Sequence, residues 1–215
     1  MPSAAISGDR IAELLGPFLD PASLSPDQLC QVSIYLELLL RWNARIGLTA
    51  VRDPEEIITR HFGESFFAAR HLFSPDAPAA TAIDIGSGAG FPGFPLKIFS
   101  PSLDLTLVES NNKKVAFLRE VVRALDLPTG VRVLASRAER VEASATLVTL
   151  RAVERFENAL PIARKLLAPN GRLALLIGSA QRQTAESSLP DLRWENPIAL
   201  PLSTNRILLI GVAET

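Results

Sequence analysis

The spacing of apolar and polar positions separates a helical first part of the chain from an alternating second part. Between residues 29 and 40, apolar side chains recur every three or four positions, which is the period of one helical stripe. Beyond residue 80, short apolar runs alternate with helical stretches, which predicts βαβ units, a mostly parallel sheet and an α/β fold. Strands are predicted at 81–85, 103–108, 131–134, 146–150 and 172–177, and helices between them at 94–99, 113–125 and 159–167.

Two capping signals predict where helices of the first part begin. Ser25 can accept a hydrogen bond from the first turn, and Pro26 suits the first helical position. Asp53 and Pro54 form a second start, and the two acids after them favour the positive end of the helix dipole. A turn-rich break at 75–78 predicts a helical cap at 1–75 and a second domain at 76–215, packed together as one unit.

The last two apolar runs predict a different kind of connection. They lie at 192–200 and 206–212, and the link at 201–205 is too short for a parallel crossover. We therefore expect an antiparallel hairpin at one edge of the parallel sheet.

Composition narrows the class of protein further. Of the 215 residues, 47% are hydrophobic and 21% are charged, which excludes a disordered chain. The net charge of −1 gives no overall basic balance, so an RNA-binding surface must be a local patch. Because no apolar run has the length of a membrane span and no signal segment is recognisable, we expect a cytoplasmic protein without a membrane partner.

Metal and cysteine chemistry are not expected. The chain has one cysteine and two histidines, which leave too few ligands for a metal site built from these residue types. Cys30 lies in the helix that is predicted from the apolar period between residues 29 and 40, and it is expected to be a small core residue.

The main chemical signal is a glycine-rich segment directly after the first predicted strand. The sequence DIGSGAGFPG starts at Asp84 and places glycines at positions 86, 88, 90 and 93 before the next helix. Glycines at such a turn let the backbone approach a ligand closely. Gly88, Gly90 and Gly93 also fit the dinucleotide fingerprint, so NAD must be weighed as the ligand.

Two carboxylates favour another nucleotide. Asp84, at the tip of the first strand, disfavours a pyrophosphate and suits a cationic ligand. Glu109, at the end of the second strand, can accept both hydroxyls of a ribose. Together they favour S-adenosylmethionine, which carries an ammonium and a sulfonium but no phosphate.

A series of short motifs in fixed order resembles one known family over about residues 25–211. The chain resembles the bacterial small-subunit ribosomal RNA guanine-N7 methyltransferases, also called glucose-inhibited division protein B. The motifs are LRWN at 40–43, IGLT at 46–49, DPEE at 53–56, RHF at 60–62, DIGSGAGFPGFPLKI from 84, LVES at 107–110, KK at 113–114, FL at 117–118, SRAE at 136–139 and RAV at 151–153.

The resemblance implies a class I (Rossmann-like) seven-stranded sheet with an N-terminal helical cap. It also implies transfer of a methyl group from S-adenosylmethionine to N7 of a guanine in the 530 loop of 16S rRNA, without a general base. The cofactor residues implied by the motifs and by the glycine loop are Asp84, Gly86, Gly88, Gly90, Phe91, Glu109, Ala138, Glu139 and Arg151. Arg151 is in addition the candidate catalytic residue, placed between the cofactor and the guanine.

Further residues are candidates for RNA contact. They are Asn43, His61, Lys113, Lys114 and Arg137. For His61, two interpretations remain open, packing beneath the cap or facing the target base. The expected partner is 16S rRNA in the small ribosomal subunit, and the protein is expected to be a monomer that needs no metal.

The chain departs from the family pattern at a few polar positions. Gly47, Ile177 and Gly211 stand where the family usually has Asn, Lys and a basic residue, and the basic tail of many members is missing. Weaker or differently placed RNA binding is therefore expected. The alternatives are a methyltransferase for a different acceptor, including a small molecule, and an RNA-associated protein that binds the cofactor without transferring methyl.

Overall fold

Helices of the first part begin at the predicted capping residues. The computed structural model describes residues 6–74, 80–127, 129–153 and 155–214. The Ser25 hydroxyl accepts from Gln28 N, and the Gln28 side chain accepts from Ser25 N, a reciprocal cap at the start of α2. The helices here are α1 (Gly8–Leu19), α2 (Pro26–Ile46), α3 (Pro54–Ile57), a π-helix (Ile58–Gly63) and α4 (Glu64–Leu72). The predicted break at 75–78, and with it the boundary at 76, lies outside the described residues.

The second part forms the predicted parallel sheet with helices between its strands. In order these elements are β1 (Thr81–Ile85), α5 (Gly93–Phe99), β2 (Asp104–Glu109), α6 (Asn112–Ala124), β3 (Val131–Ala135), β4 (Ala145–Arg151), α7 (Phe156–Lys165), β5 (Leu167–Gly178), α8 (Arg182–Ser188), β6 (Leu192–Trp194), β7 (Ile198–Ala199) and β8 (Arg206–Ala213). The strand order is β3-β2-β1-β4-β5-β8-β6, and the first five pair in parallel. The α/β prediction is confirmed.

The predicted terminal hairpin is antiparallel, but its first strand is interrupted. The run at 192–200 forms two short strands, β6 and β7, and both pair antiparallel with β8. Pro197 lies between them and has no N–H to donate to the ladder, which explains the interruption. The main path has the seven predicted strands, and β7 is an eighth of two residues. β8 lies between β5 and β6, so β6 forms the edge.

Two further boundaries differ from the sequence prediction. The helix predicted at 159–167 is α7, which begins earlier and ends at Lys165, and β5 then starts at Leu167. Pro169 and Asn170 therefore lie within β5. The helix α8 was not predicted, because its segment is polar and carries little apolar periodicity.

The hydrophobic core covers both faces of the sheet. One buried cluster joins the N-terminal helices to α5, α6 and the side chains of one face, and the other joins α7 and α8 to the opposite face. Cys30 is exposed, so its prediction as a core residue is wrong: the buried stripe of α2 includes Val32, Leu36 and Leu39, and Cys30 lies off it. His71 is exposed as well.

Two of the departures from the family pattern have a local reason. Gly47 ends α2 with a φ of 64°, in the left-handed region, where glycine carries no penalty. A side chain at Gly211 would place its Cβ 2.9 Å from the Trp194 ring. Within the described ranges, no helix combines the length and apolarity needed to cross a membrane.

Candidate functional site

A cavity of about 410 Å³ opens at the carboxyl ends of four neighbouring strands. The loops after β1, β2, β3 and β4 line it, at the sheet edge where open α/β folds bind ligands. Its volume is in the range of small-molecule sites. Five of the predicted site residues line it: Gly86, Glu109, Arg137, Ala138 and Glu139.

Glu109 is held rigidly at the mouth of this cavity. Its Oε2 accepts a hydrogen bond from Gly88 N at 2.9 Å, and its Oε1 accepts from Asn111 N at 2.8 Å. Each carboxylate oxygen keeps a second lone pair. The side chain is only 7% exposed, so it can offer those lone pairs to a ligand without first losing rotamer freedom.

The glycine loop turns tightly over an aromatic cluster. Gly90 has a φ of 89°, and a Cβ there would lie 2.4 Å from the Phe94 ring and 2.7 Å from the Tyr35 hydroxyl. Tyr35 donates a hydrogen bond to the Ala89 carbonyl and stacks on Phe91 with ring centroids 5.2 Å apart. These contacts hold the glycine loop in a single conformation.

Asp84 lies beneath the loop and does not line the cavity. It is fully buried, and its Oδ1 accepts from the Thr149 hydroxyl at 2.7 Å. Burial raises the pKa of Asp84 to about 6, although the hydrogen bond from Thr149 acts in the opposite direction. Its other oxygen, Oδ2, is buried beside Gly93, the first residue of α5.

Arg151, at the end of β4, joins the sheet to the helical cap. Its Nη2 donates to the Arg60 carbonyl at 2.7 Å and to Glu64 Oε2 at 3.0 Å, and contacts His61 Nδ1 at 3.0 Å. Its guanidinium carbon lies 5.9 Å from the centre of the Phe91 ring. The atoms Nε and Nη1 donate to no described residue, so they are available for a ligand.

Glu64 anchors two arginines with one buried carboxylate. Its side chain is 2% exposed; Oε2 contacts Arg151, and Oε1 lies 2.6 Å from Arg206 Nε. Burial lowers the pKa of Arg151, while the charge of Glu64 raises it. Two guanidinium groups and one carboxylate leave this cluster with one excess positive charge, which suits an electron-rich ligand.

A chain of hydrogen bonds connects Asn43 to Arg151 through His61. Asn43 Oδ1 accepts from Thr49 N, and the Thr49 hydroxyl lies 2.7 Å from His61 Nε2. Burial, followed by the charge of Arg151, lowers the pKa of His61 to about 3. The ring is therefore neutral near pH 7, with Nδ1 accepting from Arg151 and the Nε2 proton directed at Thr49. Both Asn43 and His61 are buried, and His61 packs under the cap against Phe91.

The state of His61 makes a testable contribution to pH-dependent stability. Because its folded pKa lies below the unfolded value of about 6.5, the neutral ring stabilises the fold fully above pH 6.5, and this contribution is lost as the pH falls toward 3. We expect the unfolding free energy of the wild type, minus that of His61→Gln, to fall by up to about 1.4 kcal/mol per pH unit. Urea unfolding between about pH 7 and 4 measures this difference. Titration of Asp84 is common to both proteins and cancels, so a pH-independent difference would contradict a neutral His61.

The other predicted RNA residues are exposed or half-buried, and one of them lines the cavity. Lys113 is exposed and Lys114 half-buried, both in the first turn of α6, where Asn111 caps the helix. Two cations at this end of a helix oppose its dipole, so they do not stabilise α6. Arg137 is exposed and lines the cavity.

Sequence reasoning missed three residues that position the site. They are Glu64, Thr49 and Arg206: Glu64 contacts Arg206, and Thr49 contacts His61, only in the folded chain. One signal was available for Glu64: it lies three residues after His61 on a helix whose neighbouring positions are apolar, and a charge on a buried helical face needs a partner.

Comparison with known sequences identifies the family. A family model described as rRNA small subunit methyltransferase G matches residues 28–195. The chain belongs to this family. Proteins named Ribosomal RNA small subunit methyltransferase G are similar to it: one from Xanthomonas campestris pv. campestris (strain B100) is 39% identical, covering 85% of this chain and 84% of its own length. One from Xylella fastidiosa (strain 9a5c) is 36% identical, covering 91% and 92%.

Solved structures outside the methyltransferase G family share its fold. Magnesium protoporphyrin IX methyltransferase from Synechocystis PCC 6803 aligns with a TM-score of 0.64 at 13% identity, covering 84% of this chain and 97% of that one. The ribosomal protein L11 methylase from Lactobacillus delbrueckii subsp. bulgaricus aligns with a TM-score of 0.60 at 12% identity, covering 73% and 80%. At these identities the likeness concerns the fold alone.

Proposed function

We propose that this protein transfers a methyl group from S-adenosylmethionine to N7 of a guanine in the 530 loop of 16S rRNA. Membership of the methyltransferase G family supports the reaction class and the RNA substrate. The observation that carries the assignment at the site is a cavity lined by Glu109 together with Arg151, which lines a small cavity that shares Val153 with the first and which has two donors without a partner among the described residues. Such a protein acts in the cytoplasm, where the small subunit is found.

The cavity residues fit S-adenosylmethionine better than NAD. In this proposal Glu109 accepts hydrogen bonds from the ribose hydroxyls. Ala138 and Glu139 face the adenine, and Gly86 of the glycine loop lines the same cavity. The N–H of Gly88 already donates to Glu109, so it is not free to bind a pyrophosphate. The buried carboxyl of Asp84 beneath the start of α5 also disfavours a phosphate at that helix end.

Methylation of guanine N7 requires the protein to position the base, and no general base is needed. When bound, S-adenosylmethionine supplies an electrophilic methyl group. Guanine N7 offers a lone pair and carries no proton, so the protein has no proton to remove and needs only to hold the base in line. The Nε and Nη1 of Arg151 can donate to guanine O6, and the Phe91 ring and Glu64 hold that guanidinium in place.

The decisive experiment is methyl transfer to a ribosomal substrate. Small subunits from cells that lack this enzyme are incubated with labelled S-adenosylmethionine, and the product is mapped by strand cleavage at N7-methylguanine. A single labelled guanine in the 530 loop is the expected result. Label at another position would assign a different acceptor, and cofactor binding without transfer would indicate a protein that only binds.

Replacing Glu109 by alanine should weaken S-adenosylmethionine binding by about 100-fold, because two charge-assisted hydrogen bonds to the ribose are lost. Titration calorimetry measures the dissociation constant. Glu142→Ala, at an exposed position that does not line the cavity, is the control and should leave the dissociation constant unchanged. Equal affinity of Glu109→Ala and wild type would remove the ribose assignment.

A further inference from the structure

Two further cavities follow the loops after β4 and β5. A small one of about 30 Å³ is lined by Arg151, Phe156, Gln181 and neighbouring residues. A larger one of about 380 Å³ is lined by Arg155, Phe156, Glu157, Asn158, Gln181 and Thr184. Because Phe156 and Gln181 line both, the two cavities adjoin and lead from Arg151 to Thr184. We call this depression, with the residues named here, the acceptor groove.

Arg155 stands at the junction of the acceptor groove and the cofactor cavity. It lines both, it is exposed, and its side chain makes no ion pair or hydrogen bond with any described residue. Its φ of 54° and that of Ala152 at 50° are conformations that residues other than glycine rarely adopt. Arg155 thus lines the groove as a cation without a partner among the described residues, in a backbone conformation that is common at functional sites.

We propose that the acceptor groove binds single-stranded RNA next to the target guanine, with Arg155 contacting a backbone phosphate. This inference rests on the proposed function. A guanine held at Arg151 is covalently linked to its neighbours, so the chain must leave the site through open space, and the groove begins at Arg151.

The groove lining matches a nucleotide chain. The planar fork of Arg155 suits a phosphate, and the ring of Phe156 offers a surface for a base. The amides of Asn158 and Gln181 and the hydroxyl of Thr184 can bond to sugars or base edges.

The groove also contains a charge of the opposite sign. Glu157 is exposed next to Arg155 and lines the same cavity. Its carboxylate repels a nearby phosphate, so the two neighbours should change RNA affinity in opposite directions when neutralised. This pair gives the proposal a test based on the sign of the effect.

The test measures binding of a single-stranded RNA oligonucleotide with the 530-loop sequence by fluorescence anisotropy, from about 50 to 200 mM salt. Arg155→Ala should weaken binding about tenfold at low salt and reduce the slope of log K against log salt by about 0.7, the value for one phosphate contact. Arg155→Lys should retain most of the slope, and Glu157→Gln should strengthen binding. The matched control is Arg164→Ala on the same helix, where the arginine pairs with Asp191; it should change neither quantity.

Three results would overturn the groove assignment. The first is an Arg155→Ala variant with wild-type affinity and salt slope. The second is a loss of affinity for S-adenosylmethionine alone, which would assign Arg155 to the cofactor cavity. The third is a raised KM for small subunits with unchanged oligonucleotide affinity, which would assign the groove to a ribosomal protein. Wild-type transfer to small subunits is measured in parallel, so that its failure would count against the proposed function and not against RNA binding in the groove.

Discussion

Replacing Arg151 by alanine should lower the rate of methyl transfer by about 10²- to 10³-fold, the usual cost of removing one well-placed hydrogen-bond donor. S-adenosylmethionine binding should weaken by less than about tenfold, because most cofactor contacts are proposed elsewhere in the cavity. Single-turnover methylation of small subunits measures the rate, and calorimetry measures cofactor binding. A fully active variant would contradict the proposed role of Arg151.

Two controls separate this effect from misfolding. Glu64 keeps its 2.6 Å contact with Arg206 when Arg151 is removed, so the buried carboxylate is not left unpaired. Arg151→Lys retains the charge but not the planar fork, and it should recover only part of the rate. Arg164→Ala removes an arginine remote from the site, and it should leave the rate unchanged.

Replacing Glu64 by alanine should lower the free energy of unfolding by about 3–5 kcal/mol, because the largely buried guanidinium of Arg151 and the partly exposed one of Arg206 then lose their shared counter-charge. Urea denaturation measures the change. The matched control is Asp191→Ala, which breaks a solvent-exposed ion pair with Arg164 and should cost about 0–1 kcal/mol. An equal cost for the two variants would contradict the anchoring role of Glu64.

The sequence predicts the elements of this fold well wherever the local pattern is strong. The capping residues Ser25 and Asp53 mark helix starts correctly because a cap is a contact within four residues. The five parallel strands follow from their buried apolar runs. The division of 192–200 into two strands could also have been predicted, because Pro197 is visible in the sequence and has no N–H to donate to the ladder.

The site could be predicted only in part. The glycine loop and Glu109 are readable from the order of strand, turn and helix, and Glu109 indeed lies at the cavity. The environment of Arg151 is not readable, since Glu64, His61 and Arg206 are distant in sequence and approach it only through tertiary packing. The interpretation of His61 as a residue that packs beneath the cap agrees with its burial, while direct contact of Asn43 or His61 with RNA stays a prediction.

The position of β8 has a consequence for how the protein is made. This strand follows every other described strand in the sequence, yet it lies inside the sheet between β5 and β6 and carries the arginine that contacts Glu64. During translation the earlier strands emerge first, and β5 has no antiparallel neighbour until residues 206–213 have left the exit tunnel. The sheet and the anchored arginine pair are therefore completed only after residues 206–213 have been synthesised, so a nascent chain stalled before residue 206 contains the glycine loop but lacks the contact between Arg206 and Glu64.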